Sequence, residues 1–127
     1  MVNNTSDNTL GYIRITNKRK NVGPKPTPGE TAVDGDRANP VLGNKHILKN
    51  HLDPVERAKV IAAYRDDYVE DCAAQGPMFK ATQALAQRVS KGEKIALQCW
   101  CAGIGPCHLQ MVVDKASEML GCPIERK

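Results

Sequence analysis

Apolar residues in this chain alternate over short stretches at two places and recur at helical spacing at three. The run Gly11-Tyr12-Ile13-Arg14-Ile15-Thr16 alternates with the period of a strand, and Lys94-Ile95-Ala96-Leu97-Gln98-Cys99-Trp100 has the same strand character. A third, shorter strand fits Ala32 and Val33. Helix-start signals coincide at Asp53-Pro54-Val55-Glu56: an aspartate to cap, a proline preset for the first turn, and a glutamate to return a bond. Beyond it Val55, Ala58, Ile61, Tyr68 and Cys72 form one apolar stripe, with Arg57, Lys59 and Arg65 placed elsewhere and Tyr64 and Tyr68 taken as packing residues. Gly76-Pro77 breaks that helix, and Phe79, Thr82, Leu85 and Val89 mark a second that ends before Lys91-Gly92. Leu109, Val112, Ala116 and Met119 or Leu120 mark a third, over Cys107 to Leu120, closed by Gly121.

This order predicts an α/β fold: a small, mostly parallel central sheet with helices packed on its faces, Rossmann-like in build. It predicts one domain over residues 11–121, flanked by tails at 1–10 and 122–127. Two irregular segments stand out. Asn17 to Glu30 carries Lys18-Arg19-Lys20, Lys25, three prolines and two glycines, and reads as a basic loop serving phosphate capture or merely a solvated connection. Thr31 to Asn44 sets Asp34, Asp36, Arg37 and Asn44 on a backbone that Gly35 and Gly43 allow to bend, as loops lining sites often do.

Composition narrows the function classes. At 127 residues, 41% hydrophobic and 25% charged, the chain has ordinary globular proportions. A net charge of +4 permits attraction to phosphate-bearing partners. Nucleic-acid binding through Arg14, Lys18, Arg19, Lys20 and Lys25 would show an affinity that falls steeply with salt. Aromatic residues are only 4% of the chain, which disfavours base stacking along a single strand. The polar start and the lack of a long apolar run predict no membrane partner and a cytoplasmic protein. Five cysteines, three of them within nine positions beside a histidine, suit thiol or metal chemistry better than a secreted disulfide framework.

That cluster is Cys99-Trp100-Cys101-Ala102-Gly103-Ile104-Gly105-Pro106-Cys107-His108, where the chain leaves a strand and enters a helix. The positive end of the helix dipole and its unpaired N–H groups favour thiolate over thiol there. Three readings stand open. Cys107 or a partner cysteine is a nucleophile or redox thiol with His108 moving protons; or Cys99, Cys101, Cys107 and His108 bind zinc as cofactor; or the thiols simply fill the core. His46 and His51 lie in a polar connector without ligand spacing and read as surface.

Several of these segments also carry a resemblance. Asn17-Lys18-Arg19, Arg37 followed by Pro40-Val41-Leu42-Gly43-Asn44, the helical set Arg57, Ile61 and Tyr64, and above all Cys99-Trp100-Cys101 with Cys107-His108 resemble the domain of unknown function 4326 family. The family is common in bacteriophage and bacterial genomes, and the likeness runs from about Ile13 to Leu120. Lys45 stands where the family usually has proline, and the loop before Cys107 is longer than its common form. The resemblance implies a compact α/β fold and, if phage-encoded, a place in the host cytoplasm.

Ligands of open parallel sheets settle beyond the carboxyl ends of the strands. The expectation is therefore a protein that binds or processes a phosphorylated, nucleotide-like small molecule. Arg37, Asn44 and Cys99 would hold it, with Cys101, Cys107 and His108 nearest the chemistry. The competing expectation is a non-catalytic module that binds a host or assembly partner, with structural cysteines or zinc.

Overall fold

A computed structural model describes residues 10–21, 23–36, 38–44, 46, 53–100 and 107–126. Three strands, β1 (Tyr12–Asn17), β2 (Thr31–Asp34) and β3 (Lys94–Cys99), form a sheet in the order β1-β3-β2. Both pairings are parallel, with Ile13 opposite Ile95, Ile15 opposite Leu97 and Val33 opposite Leu97. Because side chains alternate across a strand, this register puts Ile13, Ile15, Val33, Ile95, Leu97 and Cys99 on one face. All six belong to, or pack against, the hydrophobic core. The helices α1 (Pro54–Ala74), α2 (Pro77–Ser90) and α3 (Leu109–Leu120) pack against the sheet and each other. They supply Tyr64, Tyr68, Leu85, Val89, Leu109, Val112 and Ala116 to the core. The α/β expectation holds.

Local signals explain most boundaries. The Asp53 carboxylate accepts from the Val55 and Glu56 N–H groups at 2.9 and 3.2 Å, a cap that contributes about 1 kcal/mol. Gly121 closes α3 in the left-handed region at φ 72°, where a side chain would be strained. The third helix begins at Leu109, two residues later than its apolar spacing predicts, and His108 occupies its N-cap.

Two expectations are corrected. The start of the α1 stripe faces outward: Val55 is 64% exposed and Ala58 is exposed. The buried side instead carries Arg57, Tyr64 and Tyr68. Long side chains with polar tips do the packing here, so a count of aliphatic residues misplaces the face by about one position. The segment after Gly121 is not a tail. Ile124 is buried, its carbonyl accepts from the Ile13 N–H at 2.9 Å, and the Ile13 carbonyl accepts from the Arg126 N–H at 2.9 Å. The segment thereby adds a parallel bridge to the β1 edge. No described helix is long and apolar enough to cross a membrane.

The opposite face of the sheet is polar and covered by the segment after β1. Arg14 pairs with Glu30 at 2.8 Å and donates to the Lys25 carbonyl at 2.5 Å, while Tyr12 donates to Glu30 at 2.5 Å. The Arg14 guanidinium holds the Glu30 carboxyl well below the usual carboxylate range, and Tyr12 and the Thr27 N–H reinforce it against burial. Lys25 donates to the carbonyls of Asn17 and Arg19. The described part of the basic loop is thus folded onto the sheet, with Lys25 directed at protein acceptors.

Candidate functional site at the carboxyl edge of the sheet

All three strands end at the same edge, and their ends are stitched together. Lys18 N–H donates to the Cys99 carbonyl at 2.9 Å and Gly35 N–H to the Gln98 carbonyl at 2.7 Å. Gly35 crosses the start of α3 closely: a Cβ there would stand 2.4 Å from Leu109 Cδ1 and 3.2 Å from the Gln98 carbonyl oxygen, so a side chain would force the buried Leu109 to shift. That close passage brings the Gly35 carbonyl to His108 Nε2 at 2.9 Å.

A carbonyl can only accept, so Nε2 bears the hydrogen and the neutral ring presents its lone pair at Nδ1. Nδ1 lies 4.0 Å from Cys107 Sγ. The Tyr64 ring packs edge-on against the imidazole, centroids 4.7 Å apart, and the Tyr64 hydroxyl donates to the Leu42 carbonyl at 2.9 Å. Burial pushes that hydroxyl far above the ordinary tyrosine value, so it stays a donor. His108 is 6% exposed and Cys107 half-buried. Behind them, Cys99 is fully buried at the end of the central strand, with its sulfur 3.1 Å from that of Cys107.

A charged and aromatic group adjoins the cluster. The Lys18 ammonium pairs with Asp34 at 2.7 Å and Asp36 at 3.0 Å, and Trp100 Nε1 donates to Asp36 at 2.7 Å. Burial works against ionisation of Asp36, but Lys18, the indole N–H and the Ala38 N–H outweigh it and lower its pKa. Trp100 remains 45% exposed, with the Arg19 guanidinium 5.9 Å from its ring and bonded to its carbonyl.

Of the six residues expected at the site, Cys99, Cys107 and His108 come together. Cys101 and Arg37 lie outside the described residues, as does His51. Asn44 donates to the Val60 carbonyl of α1 at 3.1 Å and accepts from the His46 N–H; neither bond reaches the cluster. His46 stands at the surface, 2.7 Å from Asp67. Zinc binding by the expected set would need Cys101; among the described residues no group of three or more His, Cys, Asp or Glu is arranged to hold a metal.

Sequence reasoning set Lys18, Asp36 and Trp100 in candidate segments without giving them a role at this edge, and it missed Tyr64, taken as a packing residue. For Lys18 and Asp36 a usable signal existed, since each follows within two residues of a strand end in a parallel sheet. Tyr64 gave none, because its contact with His108 links residues 44 positions apart.

Fold and site define a small parallel α/β protein whose thiol and imidazole groups meet beyond the carboxyl ends of its strands. The chain belongs to the family described as Domain of unknown function (DUF4326), whose model matches residues 15–118. No curated protein and no solved structure matches it.

Proposed function

We propose that this protein binds a small phosphate-bearing, nucleotide-like ligand at the carboxyl edge of its sheet and acts on it through Cys107, with His108 as the proton acceptor. The observation that carries the reading is the Gly35–His108–Cys107 chain. A backbone carbonyl fixes the tautomer and aims the basic nitrogen at a half-buried thiol. Deprotonation of Cys107 by His108 gives a thiolate, the reactive form, and the imidazolium then holds a proton for a leaving group. The neighbours support the ligand class: Arg19 and Lys18, the latter held by Asp34 and Asp36, bring positive charge to the edge, and the half-exposed Trp100 ring beside Arg19 offers a plate for a planar base.

The test is a panel of nucleoside mono-, di- and triphosphates with inorganic phosphate as control, read by thermal shift and by product analysis. Binding by at least one nucleotide is expected, with turnover abolished in Cys107→Ser and His108→Ala while the fold is retained. Full retention in both variants, or no shift with any nucleotide, overturns the reading.

One observation favours the partner-binding alternative. Val55, Ala58, Ala62, Val69 and Ala73 lie on one side of α1 and are all exposed, an apolar strip interrupted by the exposed Asp66 on a helix otherwise rich in charge. If that strip is the functional surface, Val69→Glu abolishes association with a stoichiometric partner while the cysteine variants leave it intact.

A further inference from the structure

The two sulfur atoms of the cluster pose a question that ligand binding does not answer. Cys99 Sγ and Cys107 Sγ are 3.1 Å apart, both present as thiols. A disulfide bond is about 2.05 Å long, so about 1 Å of approach would join them. Two thiolates on one tetrahedral zinc, each about 2.3 Å from the metal, stand about 3.8 Å apart. At 3.1 Å the two thiols stand between these spacings, within a small movement of a sulfur–sulfur bond.

The two sites also differ in the way such a couple requires. Cys99 is 0% exposed, fixed at the end of a strand paired on both sides, and cannot meet an incoming disulfide. Cys107 is half-buried, precedes α3, and has His108 Nδ1 at 4.0 Å to take its proton. One sulfur is placed to attack and the other to resolve.

We infer that Cys99 and Cys107 form a reversible dithiol–disulfide couple, with Cys107 as the attacking sulfur and Cys99 as the resolving one. The oxidant is a low-molecular-weight disulfide. The Cys107 thiolate attacks one of its sulfurs, breaks that S–S bond and releases one thiolate, which takes up a proton. Cys99, losing its proton, then attacks Cys107 Sγ and expels the second thiolate, which is protonated in turn. In sum, two protein thiols and one small disulfide become one protein disulfide and two small thiols, and excess thiol reverses the exchange. The inference needs no ligand. Where Cys107 serves as the nucleophile proposed above, the same oxidation switches that role off.

The experiment exposes the full chain to glutathione buffers from fully reduced to fully oxidised, then alkylates the remaining thiols and maps linkages by mass spectrometry. Two thiols per chain should disappear together, in a Cys99–Cys107 linkage that dithiothreitol reverses. Cys101→Ser should keep the linkage, and Cys99→Ser should stop at a glutathione adduct on Cys107. The Cys101→Ser arm stands whether or not Cys99→Ser folds. The inference is overturned if both thiols stay alkylatable in glutathione disulfide alone, if the linkage runs through Cys101, or if oxidation proceeds only after a zinc chelator is added. None of these readouts involves a nucleotide, so failure here is distinguishable from failure of the proposed function.

Discussion

Cys72 and Cys107 are both half-buried and both pack against the same hydrophobic core, yet their surroundings point to opposite chemistry. At the α1–α2 junction, burial pushes the Cys72 thiol up, with Asp71 and Glu118 adding to the rise and Tyr68 and Lys115 only partly opposing it. At the carboxyl edge, Cys107 meets an imidazole nitrogen and a second sulfur. Exposure does not separate the two. What separates them is whether a neighbour can accept the thiol proton, which is the condition for nucleophilic sulfur.

The backbone frames differ as well. The junction is a closed hydrogen-bonded system: Tyr68 and Thr82 hydroxyls are 2.6 Å apart, and Thr82 donates to the Met78 carbonyl at 2.9 Å. Because Thr82 spends its hydrogen on that carbonyl, Tyr68 is the donor between them. Gly76 offers α2 no side-chain cap, so Asp71 from α1 supplies one, accepting from Met78 and Phe79 N–H at 3.2 and 2.8 Å. The carboxyl edge instead converges on a ring nitrogen and two thiols, groups that can change protonation or bonding.

The contrast is tested most severely by Tyr64→Ala. Removing a fully buried ring should destabilise the protein by about 3–5 kcal/mol in denaturant unfolding. In the folded fraction, Cys107 alkylation should slow as His108 loses its packing partner. A smaller loss, about 1–3 kcal/mol, is expected for Gly35→Ala, whose methyl group collides with Leu109 and moves the carbonyl that holds His108. Competitive alkylation should show Cys107 slowed in that variant and Cys72 unchanged.

His108→Ala should slow iodoacetamide labelling of Cys107 about tenfold at neutral pH, equivalent to about 1.4 kcal/mol, with Cys72 again unaffected. Equal rates for the two cysteines in the unaltered protein would erase the distinction. Asp71→Ala should cost about 1 kcal/mol through loss of the α2 cap and leave Cys107 labelling intact. The finest test is pH. With its pKa raised above the usual thiol value of 9.0, Cys72 should label slowly at neutral pH and still be gaining rate beyond pH 9.0, where an ordinary thiol is levelling off.

Much of the fold was legible because short-range rules were enough. Asp53-Pro54 set the start of α1, Gly76-Pro77 its end, Lys91-Gly92 the end of α2 and Gly121 the end of α3, each through backbone chemistry confined to a few residues. Cys99, Cys107 and His108 were legible as a group because only seven positions separate the strand-end Cys99 from Cys107 and His108 at the helix start. Arg57 was not, because its burial depends on what α1 packs against. Ile124 was not either, since nothing in the last six residues says that the β1 edge lies open to receive it.

The sequence alone determined the elements, the parallel α/β class, the family and the crowding of sulfur beside imidazole. Tertiary structure decided which nitrogen of His108 carries its proton, which sulfur is sealed and which is reachable, and that Trp100 and Lys18 share the edge. The division has a physical cause. Hydrogen-bond periodicity and capping act over a few residues, whereas tautomer, burial and charge pairing are set by atoms that only the folded chain brings within a few ångströms.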